Sequence, residues 1–402
     1  MSARPIDEPH RVSSQLELLF DLTFVVAVAA LTAQFAHGVA DGHALAGVIP
    51  FLQVFFAIWW AWMNFTWFAS SYDTDDVAYR LLTMVQMAGV LVLAAGVPAA
   101  ADHADYGVVT LGYLIMRTAL VGQWLRAGLE DPARRRTGLR YAAGIGLAQV
   151  GWILRYLLMD TGVLPSSFGL PFFAALALVE LAVPRWAERS GATTWHPHHI
   201  AERYGLFTII LLGESVLAAS RGVGGALEAG EIGTPFVVIA FSGLVLLFAL
   251  WWLYFLVQAG EGLSDRRHRS YLWGYGHYGI FAALAALGAG LEVAVERTGH
   301  EAAVSPLTSG YAVAVPVGVC LALLWAVHAL VMARPVTNPV AVAGCVIVIL
   351  ALPLATSLIG VAAVIAAIAG TCVLLVAVTV TRGGARGRNT GEAVTGPGAG
   401  RS

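Results

Sequence analysis

The chain has 402 residues, of which 58% are hydrophobic and only 12% are charged, and its mean hydropathy is +0.75. A soluble globular protein is about 45–50% apolar and about 25% charged, so this chain could not cover its apolar surface in water. All 23 basic residues are arginine, which excludes chemistry that needs a lysine amine, such as a Walker P-loop or a Schiff base. The composition predicts a membrane protein whose partner is the lipid bilayer, and we expect no nucleic-acid partner.

Twelve apolar runs are long enough to cross a bilayer, which takes about 20 residues. They lie at 16–37, 45–70, 79–100, 106–127, 139–159, 168–186, 203–221, 234–258, 272–296, 306–331, 337–356 and 358–381. The last two share an uncharged stretch in which Pro353, Ser357 and Gly360 predict a tight turn. The fold class is therefore predicted as all-α: a polytopic helical bundle with about twelve transmembrane helices.

The arginines predict the orientation of these spans. With a cytoplasmic N-terminus, nineteen of the 23 fall on the cytoplasmic side and two on the other side. Because cytoplasmic loops are enriched in basic residues, we expect a multi-pass protein of the cell membrane with both termini in the cytoplasm. The Gly- and Arg-rich tail, 382–402, lacks a periodic pattern and is predicted to be disordered.

Two patterns recur along the chain and predict an internal duplication. FFAIWW (Phe55–Trp60) returns as LFALWW (Leu247–Trp252), and ELLFDLTFVVAVAAL (Glu17–Leu31) aligns with YGLFTIILLGESVLA (Tyr204–Ala218). Six spans in each half make the repeats parallel, as in the halves of many secondary transporters. The predicted organisation is a cytoplasmic segment (1–15), a first repeat (16–186), a His-containing linker (187–202) and a second repeat (203–381).

Ionisable side chains inside the spans are the candidate substrate- or ion-binding residues, because each costs about 2.5–3.5 kcal/mol at a helix centre on insertion scales. They are Glu17, Asp21, Arg117, Glu180, Glu214 and His277. Glu17 and Asp21 stand at i and i+4 on one helix face. Arg117 is the expected counter-charge of Glu17, Asp21 and Glu180 if these acids line a water-accessible vestibule, or else the partner of Asp21 or Glu214 in a purely structural pair. Two interpretations stay open: these charges bind a cation or proton, or they pair only to make buried charge tolerable.

Three further features have alternative interpretations. His196, His198 and His199 are weak metal candidates, but a helix starting at the membrane interface explains them as well, and we predict no bound metal. Asp73, Asp75 and Asp76 are predicted to form a solvated turn. The aromatic cluster from Trp59 to Phe68 is predicted to pack near the interface without a ligand.

Catalytic motifs are absent from the sequence. There is no G-x-S-x-G elbow, no H-E-x-x-H and no Cys–His pairing, and Cys320, Cys345 and Cys372 all lie inside apolar runs. We therefore expect a protein that is not an enzyme, with no catalytic residue and no cofactor.

Two segments carry a resemblance to a known family. ELLFDLTFVVAVAALT near the N-terminus and ERYGLFTIILLGESVLA after mid-chain resemble the signatures of the bacterial low temperature requirement A (LtrA) family, over roughly residues 12–380. The matching positions are Glu17, Phe20, Asp21, Glu202, Arg203, Gly205, Gly213, Glu214 and Ser215. The resemblance implies a multi-span membrane protein of a family named from a cold-growth phenotype, and it implies no reaction.

Three functions follow from these features as alternatives. The first is a secondary transporter of a small solute or ion, in which Asp21 and Glu214 bind a cation or proton and Arg117 balances them or contacts an anionic substrate. The second is a cation or proton channel, since the Phe–Asp pair near the start of the first span is similar to that of a class of dimeric or pseudo-tetrameric channels. The third is a membrane sensor or scaffold without transport.

Overall fold

The structure, a computed structural model, describes residues 1, 3–6, 8, 11–229, 233–296, 304–332 and 336–394, with backbone only at 221–229 and 383–394. Within these ranges all regular secondary structure is helical. Packing divides the chain into two compact units, Met1–Glu214 and Ser215–Ser402. The division falls inside a helix, so one helix contributes to both units.

Unit 1 is a bundle of long helices joined by short connections. Its helices are α1 (Gln15–Ala40), α2 (Ala44–Tyr72), α3 (Val77–Ala95), the short α4 (Val97–His103), α5 (Gly107–Glu130), α6 (Arg135–Asp160), α7 (Gly169–Ala187) and the first half of α8 (Pro197–Ala229). Helix α1 begins with a capping box, in which Ser14 accepts from the Glu17 backbone and the Glu17 side chain accepts from the Ser14 backbone. This box satisfies amides that have no intrahelical partner and brings the Glu17 carboxylate to the start of the bundle.

Unit 2 contains the second half of α8 and six further helices. These are α9 (Thr234–Phe255), the short α10 (Ala259–Asp265), α11 (Ser270–Glu296), α12 (Pro306–Val331), α13 (Pro339–Ala351) and α14 (Thr356–Val394). Inside α14 the backbone leaves helical geometry at Gly360 (φ +82°, ψ 160°), a conformation that glycine adopts without a Cβ penalty. A turn was predicted here. The tail predicted to be disordered, 382–402, lies partly outside the described residues. The described residues end at Val394, which is also the last residue of α14.

Ten helices in the described ranges are long and apolar enough to cross a membrane. One of them, Pro339–Arg382, contains both of the last two predicted spans and the break at Gly360. The predicted span at 203–221 lies within α8, which is not among the ten. The polytopic all-α class is therefore confirmed, while the count of twelve spans and the duplication stay predictions.

Helix α1 shows why the protein needs a lipid solvent. Phe20 and Phe24 on one face are buried, whereas Leu22 and Val26 on another face are 61% and 48% exposed. A helix whose exposed face is as apolar as its buried face is typical of a membrane span. Together with the other apolar helices, it makes this a multi-pass membrane protein.

Helices α3 and α5 approach closely because glycines meet at their crossing. A Cβ placed on Gly112 would lie 2.6 Å from the carbonyl oxygen of Gly89 and 2.7 Å from the Cα of Leu93. Backbone atoms cannot move aside as side chains do, so only glycine fits here. Small residues are the usual means of close helix packing in membranes, and this contact fixes α5, which carries Arg117.

The acidic turn between α2 and α3 is not a simple solvated turn, and that prediction was wrong. Asp73 is buried, with 8% exposure, while Asp75 pairs with Arg80 at 2.7 Å. Asp76 caps α3 by accepting from the Tyr79 backbone at 3.0 Å. The guanidinium of Arg126 also donates to both of its oxygens, at 2.6 and 2.7 Å.

The Asp76 cap gives a first testable expectation. Replacing Asp76 by alanine should lower the free energy of unfolding by about 1 kcal/mol for the lost cap, while Asp76→Asn should cost less because asparagine also caps. The hydrogen bonds from Arg126 lower the pKa of Asp76, so this stability is present above the unfolded pKa of about 3.9 and is lost as the pH falls through the lower folded value. Thermal unfolding in detergent at several pH values checks it, and equal losses in both variants would contradict it.

Candidate functional site

The described contacts fix two opposite ends of unit 1. At one end, called the N side, the start of α1, the end of α2 and the start of α8 meet, since the backbone of His196 donates to Ser70 at 2.9 Å. At the other end, the far side, Gln34 of α1 donates to Asp102 of α4 and Tyr106 donates to Gln53 of α2 at 2.9 Å. The buried charges of unit 1 are described below from the N side to the far side.

Arg203 forms the centre of a buried cluster on the N side. Its Nε and Nη2 donate to Asp21 Oδ2 and Oδ1 at 2.9 and 2.5 Å, and its Nη1 lies 2.8 Å from Glu17 Oε1. The indole of Trp62 donates to Asp21 Oδ1 at 2.7 Å. Arg203 and Glu17 are 0% exposed and Asp21 is 2% exposed, so these charges are fully removed from solvent.

The local sequence explains how one arginine reaches both acids. Glu17 and Asp21 are one helical turn apart on α1, so their carboxylates project from the same face. A planar guanidinium presents several N–H donors in a fixed fork and bridges such a pair. Arg203 lies in the second turn of α8, where Tyr204 next to it packs against Trp62, with ring centroids 5.0 Å apart.

His199, Arg11 and Asp73 complete what we call the Arg203 cluster, together with Glu17, Asp21 and Arg203. His199 Nε2 lies 3.1 Å from Glu17 Oε1, and His199 is 0% exposed. Arg11 Nη2 lies 3.5 Å from Asp73 Oδ2 and 3.9 Å from Glu17 Oε2. Burial raises the pKa of Asp73, and the neighbouring Glu17 raises it further. The cluster thus brings three carboxylates, two guanidinium groups and an imidazole together in the protein interior.

A second buried cluster, the Glu180 cluster, lies deeper in unit 1. Arg117 Nη2 donates to Glu180 Oε2 at 2.7 Å, and both residues are almost fully buried. Four further donors bind the same carboxylate at 3.0–3.3 Å: Trp60 Nε1, Tyr113 Oη, Gln149 Nε2 and Trp152 Nε1. Five donors from α2, α5 and α6 therefore converge on one carboxylate of α7.

Helix α2 stands between the two clusters. Trp60 donates to Glu180 and Trp62, two residues later, donates to Asp21. Residues two apart point to opposite sides of a helix, so the pair directs one indole toward each buried acid. The aromatic run of α2 was predicted to pack without a ligand, a prediction that stays open, and the hydrogen bonds that Trp60 and Trp62 donate were not predicted.

The structure narrows the predicted partners of Arg117 to one acid. Arg117 pairs with Glu180, one of the acids it was expected to balance, and not with Asp21 or Glu214, while Asp21 pairs with Arg203. Arg203 was predicted only as a motif residue, so its role as counter-charge was missed. Glu214 is buried, with 2% exposure, at the last position of unit 1.

Unit 2 contains the last of the predicted candidates, His277. Its Nδ1 lies 2.8 Å from the carbonyl oxygen of Trp273, and its Nε2 lies 3.2 Å from the hydroxyl of Tyr254. Because a carbonyl only accepts, Nδ1 carries a hydrogen. Both ring nitrogens of His277 are thus hydrogen-bonded within the protein. The repeated tryptophans of this unit, Trp251 and Trp252, are 45% and 50% exposed.

The three clustered histidines differ in environment. His196 and His199 are buried, whereas His198 is exposed. Burial, together with the charges of His198 and His199, lowers the pKa of His196, and its Nδ1 accepts from the His199 backbone at 3.3 Å. Among the described residues no group of three or more His, Cys, Asp or Glu side chains has a geometry that holds a metal ion.

The comparisons with known proteins agree with the sequence resemblance. The chain is 28% identical over 285 residues to uncharacterized protein RA0937 of Rhizobium meliloti (strain 1021), a match that covers 67% of this chain and 66% of that protein. The chain thus spans just under two thirds of the length of this curated relative. The family model described as bacterial low temperature requirement A protein (LtrA) matches residues 12–380, a range that holds both clusters except for Arg11. This chain therefore belongs to the bacterial low temperature requirement A family.

Proposed function

We propose that this protein is a secondary transporter of a small solute or ion, and that the Arg203 cluster is the site where a proton or cation binds during transport. We further propose that it lies in the cell membrane with both termini in the cytoplasm, which makes the N side the cytoplasmic side. It is proposed to act without a catalytic residue or cofactor.

The charge of the Arg203 cluster is the observation that supports this function. The described cluster holds three carboxylates, those of Glu17, Asp21 and Asp73. It holds two permanent cations, Arg11 and Arg203, since arginine does not deprotonate in proteins. Arg4 lies 3.6 Å from Asp73 as well, but it also pairs with Glu8, so this second pair adds no net charge. Neutrality of the cluster therefore needs one more positive charge. A proton on His199, a proton on one of the carboxylates or a monovalent cation would supply it. A buried site that is one charge short of neutral is suited to reversible ion binding.

The geometry also suggests how ion binding opens the cluster. A proton on Asp21 removes the charge that holds Arg203 through two hydrogen bonds, so the α1–α8 contact weakens. Loss of that proton restores the pair. The two arrangements are one with the Arg203–Asp21 pair closed and one with it open. A proton shifts the equilibrium between them only if it binds one arrangement more tightly than the other. The proposal therefore requires that Asp21 bind a proton more tightly when the pair is open.

The test uses the purified full chain in proteoliposomes loaded with a pH-sensitive dye, with the membrane voltage clamped by potassium and valinomycin. We expect a protein-dependent, saturable proton flux under an imposed pH gradient, measured alone and with a sodium gradient. Asp21→Asn and His199→Gln should lower it at least about tenfold, equivalent to about 1.4 kcal/mol. The matched control is His198→Gln, an exposed histidine in the same helical turn, which should leave the flux unchanged.

Each other outcome has a definite meaning. Unchanged flux and ion dependence in Asp21→Asn and Glu214→Gln would show that the carboxylate assignment is wrong. Steady single-channel currents in place of saturable flux would indicate a channel. No protein-dependent flux with either ion would contradict transport through this cluster.

A membrane sensor or scaffold is the second candidate, and the closed geometry of the Glu180 cluster favours it. Five donors satisfy that carboxylate, which is 0% exposed. Such a closed network stabilises one packing arrangement. If the protein is a scaffold, neutralising the buried acids Asp21 and Glu180 should change its stability only. A partner protein should also be recovered by crosslinking.

A further inference from the structure

A small pocket on the far side of unit 1 contains a buried cation that has no acidic partner among the residues that the structure describes. The pocket has a volume of about 40 Å³, and Gln53, Tyr106, Tyr113, Trp152, Arg155 and Phe173 are among its lining residues. These residues come from α2, α5, α6 and α7 and from the turn before α5. The pocket belongs to neither buried cluster, although Tyr113 and Trp152 also donate to Glu180.

Arg155 is the charged residue of this pocket, and it is 7% exposed. Its Nε and Nη2 donate to the carbonyl oxygen of Gly169 at 3.3 and 3.2 Å. Its guanidinium carbon lies 5.7 Å from the ring centroids of Tyr106 and Phe173. These are its described contacts: within the described ranges no carboxylate lies within 4 Å of Arg155, and Nη1 makes no hydrogen bond.

Two fully buried arginines elsewhere in unit 1 are neutralised. Arg117 binds Glu180, and Arg203 binds two carboxylates. A buried charge without a counter-charge is costly, and one carbonyl and two ring faces compensate it only in part. Arg155 is therefore an unneutralised cation beside an open volume.

We infer that this pocket binds a small monovalent anion through Arg155. One unpaired guanidinium balances one negative charge, which argues against a divalent anion. A volume of about 40 Å³ holds about three water-sized probes, the size of chloride, nitrate or formate. This inference goes beyond the proposed function, and its test requires no transport.

The experiment measures thermal unfolding of the full chain in a non-ionic detergent. Sodium formate, nitrate or chloride replaces sodium gluconate at constant ionic strength, since gluconate is too large for the pocket. A ligand that binds only the folded state stabilises it with a saturable dependence on concentration, so the midpoint should rise and reach a plateau. Arg155→Gln should abolish this saturable rise.

Arg140→Gln is the matched control. Arg140 lies on the same helix and also stacks on an aromatic ring, that of Trp186 at 5.5 Å, but it does not line the pocket. This variant should keep the saturable rise. An equal rise in Arg155→Gln, or a rise without a plateau, would overturn the proposal and indicate a general salt effect.

A second measurement needs no variant. Chloride-35 NMR of the native protein should show line broadening that formate reverses by competition, and the absence of such broadening would contradict the site. Lipid headgroups are the other source of an anion, so the titration is repeated in nanodiscs of zwitterionic and of anionic lipids. Stabilisation by anionic lipid with no response to formate or chloride would overturn the free-anion proposal.

Discussion

Replacing Arg203 by leucine is expected to lower the free energy of unfolding by about 3–5 kcal/mol, the usual cost of removing one partner of a buried ion pair. The reason is that Glu17 and Asp21, which are 0% and 2% exposed, lose the cation that binds both of them. Titration with SDS in mixed micelles, followed by tryptophan fluorescence, measures the change.

The charges can be removed together to test this reason. In Arg203→Leu combined with Glu17→Gln and Asp21→Asn, no unpaired carboxylate of this pair remains, so much of the loss should be recovered. Arg203→Lys should be intermediate, because an ammonium group is a point charge without the guanidinium fork.

Arg126→Leu is the control for a surface pair. Arg126 binds Asp76 and Glu130, both more than a third exposed, and such pairs are worth about 0–1 kcal/mol. If Arg203→Leu cost no more than Arg126→Leu, or if the triple variant were less stable than Arg203→Leu alone, the cluster would not be a desolvated charge network.

The sequence predicted the class of this protein and part of its site, because both depend on local patterns. Apolar length predicts membrane helices, and the i, i+4 spacing correctly placed Glu17 and Asp21 on one face. The capping box at Ser14 also follows from a local pattern. These features require no knowledge of which helices are neighbours.

The partners of the buried acids could not be predicted in the same way. Arg203 and Asp21 are 182 residues apart, and Arg117 and Glu180 are 63 apart. A membrane helix that is apolar all round carries little signal about which face meets protein, so several acids were equally good partners for Arg117. Arg203 also lies at the end of a predicted span where basic residues are expected on the cytoplasmic side. Because this expectation already explained its position, its buried pairing with acids was not predicted.

The indole donors were missed for a related reason. Tryptophans near a membrane interface are expected in aromatic belts, and nothing in FFAIWW distinguishes a belt residue from a donor. The spacing of Trp60 and Trp62 indicates two hydrogen-bond donors only once it is known that each side of α2 faces a buried acid. Arg155 was not among the predicted site residues, because its lack of an acidic partner among the described residues is visible only in three dimensions.

Replacing Glu180 by alanine is expected to be at least as damaging as the loss of Arg203, with a cost of about 3–5 kcal/mol or more. The variant leaves Arg117 buried without its counter-charge and removes the acceptor of four other donors. Each buried donor left without a partner adds about 1–3 kcal/mol, although these costs are not additive.

Glu180→Gln separates charge from hydrogen bonding. Its carbonyl oxygen replaces one acceptor, but its amide nitrogen is a donor and would face Trp60 and Arg117, which are donors as well. We therefore expect Glu180→Gln to recover little. Combining it with Arg117→Met removes the unpaired cation and should recover more than 1 kcal/mol, within the 0.5–3 kcal/mol range of coupled neighbours.

The same variants distinguish the two candidate functions. If the Glu180 cluster only holds the helices together, Glu180→Gln with Arg117→Met should keep the proton flux of the native protein once its stability is restored, whereas Asp21→Asn should lose flux while keeping its fold. Loss of flux in both would mean that the two clusters on either side of α2 act as one pathway, with Trp60 and Trp62 between them. If both the Glu180→Gln/Arg117→Met variant and Asp21→Asn kept their flux, these carboxylates would have no part in transport and would contribute to stability only.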